Sequence, residues 1–418
     1  MAQISDRVNR LAASATFAML QKSNELSAQG VDVVNMSVGE PDFNTPDYVK
    51  KAAVEAVEQN YSKYSPVPGY MWLRKACSDK LKRENNLDYA PAEILVSTGA
   101  KQSLCNVIMA IINPGDEVLL PSPCWVSYPE MVKLAGGVPV AIRAGIDQDF
   151  KVTAAQVEAA ITPKTKAIMI CSPSNPTGSV YSKDELESIA KVLNKYPDVF
   201  IVSDEIYEHI NFIGGHQSMA QFVDKDRIAV INGVSKAYAM TGWRIGFMAG
   251  PEWLVKACNK LQGQYTSGTC SVAQKAAQVA FDGPQDDVEK MRQVFQKRRD
   301  LIVSLAKEIP GFEVNNPQGA FYLFPKCDSY FGKRYGDKVI NSAEDLAMYL
   351  LEVGHVATVG GTAFGSPECI RFSYATSEDN VYNILIESDG KLINVRVGTA
   401  DKWPYSVEQI ANLIDSGF

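Results

Sequence analysis

A lysine, Lys236, stands among small and hydroxyl residues in "NGVSKAYAMTGWRIGF", directly after the apolar run "RIAVIN", and Arg244 follows within the same stretch. A lysine in a confined site can lose its proton and attack a carbonyl as an amine. The planar fork of arginine suits a phosphate. Three more features follow apolar runs of the same kind. Gly99 and Ala100 come after "ILVST", with Lys101 opening a helical pattern, so a small-residue turn there presents backbone N–H groups to an anion. Asn175, in "CSPSNPTGSVYS", is an amide held in a Pro-Gly turn, and Asp204 closes "FIVSD", with Tyr207 one turn further on if the chain is helical there. A carboxylate behind so apolar a run is partly desolvated and calls for a cationic partner. Singly, each feature is also what an ordinary fold uses: a helix cap, a surface turn, an N-cap aspartate, a salt-bridged cation. Together they meet the needs of pyridoxal 5'-phosphate. That coenzyme takes a lysine for its Schiff base, an acid at its ring nitrogen, donors to its phenolic oxygen and a cup for its phosphate. Lys236, Asp204, Asn175 with Tyr207, and Gly99-Ala100 with Arg244 fill those posts.

The elements that must position these residues are legible as alternation. β-branched runs such as "EILVST", "DEVLLPS", "VPVAIRA", "KAIMICSPS", "VFIVSDE" and "RIAVING" alternate with helical patterns such as "KQSLCNVIMAII" and "KDELESIAKVL". That order predicts an α/β fold, with a mostly parallel mixed sheet covered by helices on both faces. Ligands collect at the carboxyl ends of strands in such sheets, where the polar residues above lie. A long amphipathic helix over Val288–Ile309 reads as a connector into a smaller α+β domain, formed by the N-terminal segment and the C-terminal part. The expected division is 1–45 as a segment joining the small domain, 46–287 as the large coenzyme-binding domain, 288–380 as the small domain and 381–418 as an atypical tail. That tail reads as two strands joined at Asp-Gly and then a short helix.

With 418 residues, 46% hydrophobic and 21% charged, the chain has ample material for a large core. A formal net charge of -7 argues against nucleic acid or an anionic membrane surface as the main partner. No stretch approaches the roughly 20 apolar residues of a membrane span, and the polar N-terminus has no signal-peptide core. Eight scattered cysteines without a CxxC pair fit free thiols in a reducing compartment, and the three histidines have no metal-ligand spacing. A cytoplasmic protein without a metal is the expectation.

From about residue 4 to 380 the sequence resembles the fold-type I, class I aminotransferases, in their bacterial aspartate aminotransferase branch. The ordered markers are "NMSVGEPDFNTP", "KYSPVPGY", "STGAKQSL", "CWVSYPEM", "CSPSNPTGSVYS", "VSDEIYEH", "NGVSKAYAMTGWRIGF", "QGAFYLFP" and "IRFSYATS". The resemblance implies that Lys236 links covalently to the coenzyme and moves the proton at the substrate Cα. It implies Asp204 at the ring nitrogen, Asn175 and Tyr207 at the phenolic oxygen, Trp125 over the ring and Ser235 at the phosphate. Arg371 matches the arginine that clamps the substrate α-carboxylate, and Gly39 a glycine lying over the substrate. Lys101, with Ser14 and Thr16, is expected at the distal carboxylate. Tyr64 matches a tyrosine that reaches the neighbouring subunit's phosphate, which implies a homodimer with composite sites. The activity implied is ping-pong transamination of L-aspartate with 2-oxoglutarate.

Two departures accompany the resemblance. Cys124 stands where relatives commonly have a tyrosine, and the tail beyond residue 380 lacks the family's closing helix. Ala12 occupies the position that is basic in relatives accepting prephenate. The competing readings are an aminotransferase of prephenate, aromatic or alanine-type specificity, and a coenzyme-binding module with impaired catalysis.

Overall fold

Apolar residues alternate between two destinations along the central strands, and that alternation builds the core. We label the strands β1 (Ile94–Ser97), β2 (Glu117–Ser122), β3 (Val138–Arg143), β4 (Thr165–Cys171), β5 (Phe200–Asp204), β6 (Ile228–Gly233) and β7 (Gly246–Ala249). The helices used below are α1 (Met71–Asn85), α2 (Ala100–Ile111), α3 (Ser127–Leu134) and α4 (Lys183–Leu193). Val118, Leu120, Ala167, Met169 and Val202 pack with Leu104, Val107 and Ile108 of α2. Their sequence neighbours Leu119, Ile168, Ile170 and Ile201 pack on the other face with Leu186, Ile189 and Leu193 of α4. A period of two with both faces buried is the signature of a sheet covered on both sides. Each fully buried aliphatic side chain contributes roughly 1.5–3 kcal/mol.

The computed structural model describes residues 4–335, 337–381, 383–388 and 391–396. The seven strands of its main sheet run in the order β1-β7-β6-β5-β4-β2-β3. The pairs β6/β5, β5/β4, β4/β2 and β2/β3 are parallel. β7 is antiparallel to both its neighbours, β1 and β6. The six strands legible in the sequence are all present. β7 is not legible there, because "GFMA" is short and lies between glycines. Since β7 reverses against both neighbours, β1 runs the same way as β6, and the carboxyl ends of β1, β2, β4, β5 and β6 share one edge.

The described residues fold as two compact units: those within 1–13, 40–294 and 317–320, and those within 14–39, 295–316 and 321–396. The sheet belongs to the first. In the second, Val34–Asn35 pairs in parallel with Val356–Ala357. Ile370–Ser373 lies antiparallel between Val359–Gly360 and Tyr322–Leu323. The expected connector is a helix, Asp286–Glu308. Of the tail, Asn383–Ser388 and Lys391–Arg396 pair antiparallel as the two expected strands, and the helix expected after them lies outside the described residues.

The start of α4 illustrates local encoding. Ser182 Oγ accepts from the Glu185 N–H at 3.3 Å, and Glu185 Oε2 accepts from the Ser182 N–H at 2.7 Å. This reciprocal box satisfies two otherwise orphaned donors, and Asp184 and Glu185 complement the helix dipole. Ser182→Ala is expected to lower stability by about 1 kcal/mol. Urea unfolding followed by circular dichroism should show a lower midpoint at unchanged slope.

Candidate active site

The shared strand edge delivers the chemistry. Asp204 is the last residue of β5, Lys236 comes shortly after β6, Asn175 shortly after β4, and Gly99 just after β1. Trp125 follows β2, shortly before α3. In the first unit the structure therefore brings Gly99, Ala100, Lys101, Trp125, Asn175, Asp204, Tyr207, Ser235, Lys236 and Arg244 to one edge of one sheet.

Asp204 is buried and its carboxylate is bonded at both oxygens. The Tyr128 hydroxyl donates to Oδ2 at 2.6 Å, and the Ile206 N–H donates to Oδ1 at 3.3 Å. Burial raises its pKa to about 6. The Tyr128 and Ile206 hydrogen bonds and the Lys236 charge oppose that rise. Lys236 is partly exposed although its flanking residues Ser235 and Ala237 are buried. Its Nζ lies 5.8 Å from the centre of the Tyr207 ring. Tyr207 sits on a turn over Ile206–His209, not on the helix one would expect from its spacing, because the chain leaves β5 without forming a helical ladder.

Gly99 has φ of 81°, a left-handed conformation suited to glycine, at the N-cap of α2. A Cβ there would collide with the Arg244 guanidinium, so the absent side chain lets the arginine lie against the turn. Arg244 Nη1 donates to the Thr241 carbonyl at 2.8 Å. A cavity of about 740 Å³ opens beside it, lined in part by Thr98, Thr241, Trp243 and Thr269. Lys101 Nζ lies 4.7 Å from the centre of the Trp125 ring. Desolvation first, and then the Arg244 charge, push the Lys101 ammonium pKa down. Two neighbouring cations at the start of a twelve-residue helix make an electropositive corner suited to an anion.

Tyr64 also belongs to the first unit and is 98% exposed. The remaining expected residues lie in the second unit. Arg371 is buried, with its guanidinium 4.7 Å from the Tyr322 ring centre and 4.8 Å from that of Phe364. Its Nη2 donates to the Ser37 carbonyl. A Cβ on Gly39 would strike the Tyr322 hydroxyl, so Gly39 and Arg371 share that ring. Ser14 is the N-cap of the helix Ala15–Ala28, which begins with Ala15 and Thr16, and both Ser14 and Thr16 are half-buried.

Sequence reasoning missed Tyr128 as a site residue, although it lies in the quoted "CWVSYPEM". The signal was its position one helical turn after Trp125, against whose ring it packs edge-on at 5.6 Å. It also missed a set of buried charges around Lys80, Glu205, Glu208 and His216.

The residues present fit pyridoxal 5'-phosphate. A buried carboxylate, a lysine on the adjoining strand end and a glycine turn backed by arginine supply the partners for its nitrogen, aldehyde and phosphate. Residues 31–388 match the family model for aminotransferase class I and II. This chain belongs to that family. It is 49% identical over 390 residues to a Rickettsia felis protein named "Probable aspartate/prephenate aminotransferase", covering 92% of this chain and 95% of the relative. The solved aspartate aminotransferase of Rhizobium meliloti superposes with a TM-score of 0.88 at 42% identity, covering 91% of this chain and 96% of that one. The Thermus thermophilus aspartate aminotransferase solved with maleate gives 0.86 at 41% identity, covering 91% and 97%. The protein is an aminotransferase of fold-type I. Among the described residues no helix is long and apolar enough to cross a membrane.

Tyr128→Phe tests the hold on Asp204. In the ligand-free protein Asp204 keeps its proton up to about pH 6, against an ordinary value of 3.8, so its contribution lets stability fall as pH rises between those values. Removing the hydroxyl takes a donor from the ionised form. The titration should therefore move up by about one unit, and the falling limb should extend to higher pH. Infrared titration of the carboxyl stretch reads this directly; an unmoved midpoint would dismiss the role of Tyr128.

Proposed function

We propose that this protein transfers the amino group of L-aspartate to 2-oxoglutarate through pyridoxal 5'-phosphate, giving oxaloacetate and L-glutamate in two half-reactions. The observation that carries the reading is the adjacency, on neighbouring strand ends, of the buried Asp204 carboxylate and the partly exposed Lys236 amine. Bound coenzyme supplies an aldehyde to receive the amino group and an electron sink for the pair left at the substrate Cα.

Asp204 holds a proton on the coenzyme's ring nitrogen. Its pKa, raised by burial, is matched to a shared proton better than that of an exposed aspartate. Asn175 and Tyr207 donate to the phenolic oxygen. The N–H groups at Gly99 and Ala100, with Arg244 and Ser235, hold the phosphate, and Trp125 covers the ring face. Lys236 Nζ would hold the aldehyde end of the coenzyme, and the same amine would serve as the base for the proton at the substrate Cα. Arg371 pairs with the α-carboxylate, near Gly39. Lys101 takes the distal carboxylate. Tyr64 serves the phosphate of a second copy, so the working form is a homodimer. The unpaired cysteines support a reducing, cytoplasmic setting.

Aspartate is favoured over alanine-type donors because a second cation, Lys101, stands beside the coenzyme ring cover Trp125. The Thermus thermophilus neighbour was solved with maleate, itself a dicarboxylate. Prephenate is the second acceptor to examine, since the Rickettsia felis relative carries it in its name. In this chain the position that is basic in prephenate-using relatives is Ala12, whose backbone N–H donates to Glu130.

Lys236→Ala should abolish transamination, a loss of at least about 10³-fold, together with the visible absorption of covalently held coenzyme. Normal turnover in that variant would end the assignment. Lys101→Ala should lower kcat/KM for aspartate by about 10- to 100-fold, the scale of one charge-assisted hydrogen bond, and spare alanine. Stopped-flow half-reactions with a panel of amino acids measure both, and equal losses for aspartate and alanine would refute the role of Lys101.

A further inference from the structure

The turn after β5 carries two interleaved sets of residues. Asp204 and Tyr207 belong to the proposed coenzyme site. Glu205 and Glu208, each one position later, face a different environment and are almost fully buried. Glu208 Oε1 accepts from Lys80 Nζ, and Oε2 accepts from Asn85 Nδ2 at 2.6 Å. Lys80 Nζ also donates to Asn85 Oδ1 at 2.7 Å, closing a three-membered cluster. Lys80 and Asn85 both lie on α1, whose Leu73, Cys77 and Leu81 are locked in the core. Glu205 accepts from Ser203 Oγ at 2.8 Å and Ser218 Oγ at 2.6 Å, and its other oxygen meets His216 Nε2 at 2.9 Å.

Stability alone does not explain this arrangement. Two buried carboxylates and a wholly buried ammonium carry desolvation costs that well-packed apolar residues of the same volume would avoid. What an ion pair provides and an oily contact does not is a fixed geometry. The cluster is therefore read as an internal pin.

We infer that the Lys80–Glu208–Asn85 cluster is a positioning device for the active site. By fastening the turn to α1 at Glu208, it sets the register that keeps Asp204 and Tyr207 beside Lys236. Glu205, held by Ser203, Ser218 and His216, fixes the other end of the same turn. This inference rests on the proposed coenzyme site and adds to it residues that touch neither coenzyme nor substrate.

The test is the double variant Lys80→Met/Glu208→Leu, which replaces the pair by apolar residues of similar size and leaves no buried charge unmatched. Thermal unfolding establishes that it is folded. Its affinity for pyridoxal 5'-phosphate, added to the coenzyme-free protein, is then compared with the parent's, as is the pH midpoint of the bound coenzyme's visible absorption. The expected result is affinity weaker by about tenfold and a displaced pH midpoint, with kcat lowered more than KM is changed. A folded double variant with the parent's affinity and pH midpoint overturns the inference while leaving the Lys236 reading intact. A parent protein that takes up no coenzyme overturns both. Should the double variant not fold, Asn85→Ala keeps the ion pair and removes the donor to Oε2. The same two measurements on it decide the question, a displaced pH midpoint supporting the pin and an unchanged one refuting it.

Discussion

A carboxylate buried at the end of a strand is costly unless its charge is answered, and the arrangement around Asp204 is the answer. Burial alone pushes its pKa up. The Tyr128 hydroxyl and the Ile206 N–H hold it oriented, and Lys236 supplies a facing positive charge. None of these groups satisfies it fully, for its pKa remains raised to about 6. A carboxyl poised in this way gains most from a cationic ligand that hydrogen-bonds to it, which a protonated pyridine nitrogen does. The constraint thus runs from strand burial to ligand chemistry without a further assumption.

The one antiparallel strand inside the sheet joins the two ends of that ligand site. Gly246 on β7 pairs with Ser97 of β1 on one side and with Gly233 of β6 on the other. Ser97 leads directly into the Gly99 turn, and Gly233 leads into the loop that bears Lys236. A Cβ on Gly246 would collide with the backbone of Gly99 and Ala100, and one on Gly233 with the backbone at Gly246 and Ile245. Glycine at both places lets three backbones close up, which draws the Gly99 turn and the start of the loop bearing Lys236 to either side of β7. Arg244, itself at φ of 57°, enters just before β7 and is laid against Gly99 by the same register. The missed strand is therefore a principal reason why the expected residues assemble.

What the sequence made legible follows from locality. Asp204, Asn175, Gly99 and Lys236 each end an apolar run, and parallel strands put such ends on one edge. Their collective meaning needed only the residue types. Tyr128 escaped because its partner, Asp204, lies 76 positions away in sequence. Lys80 escaped for a stronger reason. In "MWLRKACSDKLKREN" it stands among other charged residues on a helix and looks like one more solvated lysine. It is wholly buried because Glu208 meets it from 128 positions further on. Pattern reading assigns a charge to solvent by default, and only tertiary pairing reverses that assignment. The turn at Tyr207 departs from its helical spacing for a related reason, since the buried acids on either side hold a non-helical turn.

In the second unit the same principle, that a buried charge needs a prepared environment, takes another form. Arg371 is 2% exposed, and its guanidinium lies close to the rings of both Tyr322 and Phe364. Guanidinium donors lie in its own plane, and Nη2 already meets the Ser37 carbonyl. In-plane donors arranged as a fork match the two oxygens of a carboxylate. A lysine could not substitute, because its ammonium is strongly hydrated and has no planar faces for the rings to stack upon. Gly39, held against the Tyr322 hydroxyl, keeps the chain close to one of those rings. The two charged side chains at issue, Asp204 and Arg371, are thus prepared in different ways: burial keeps the pKa of the carboxylate raised, and the guanidinium is lodged against aromatic rings.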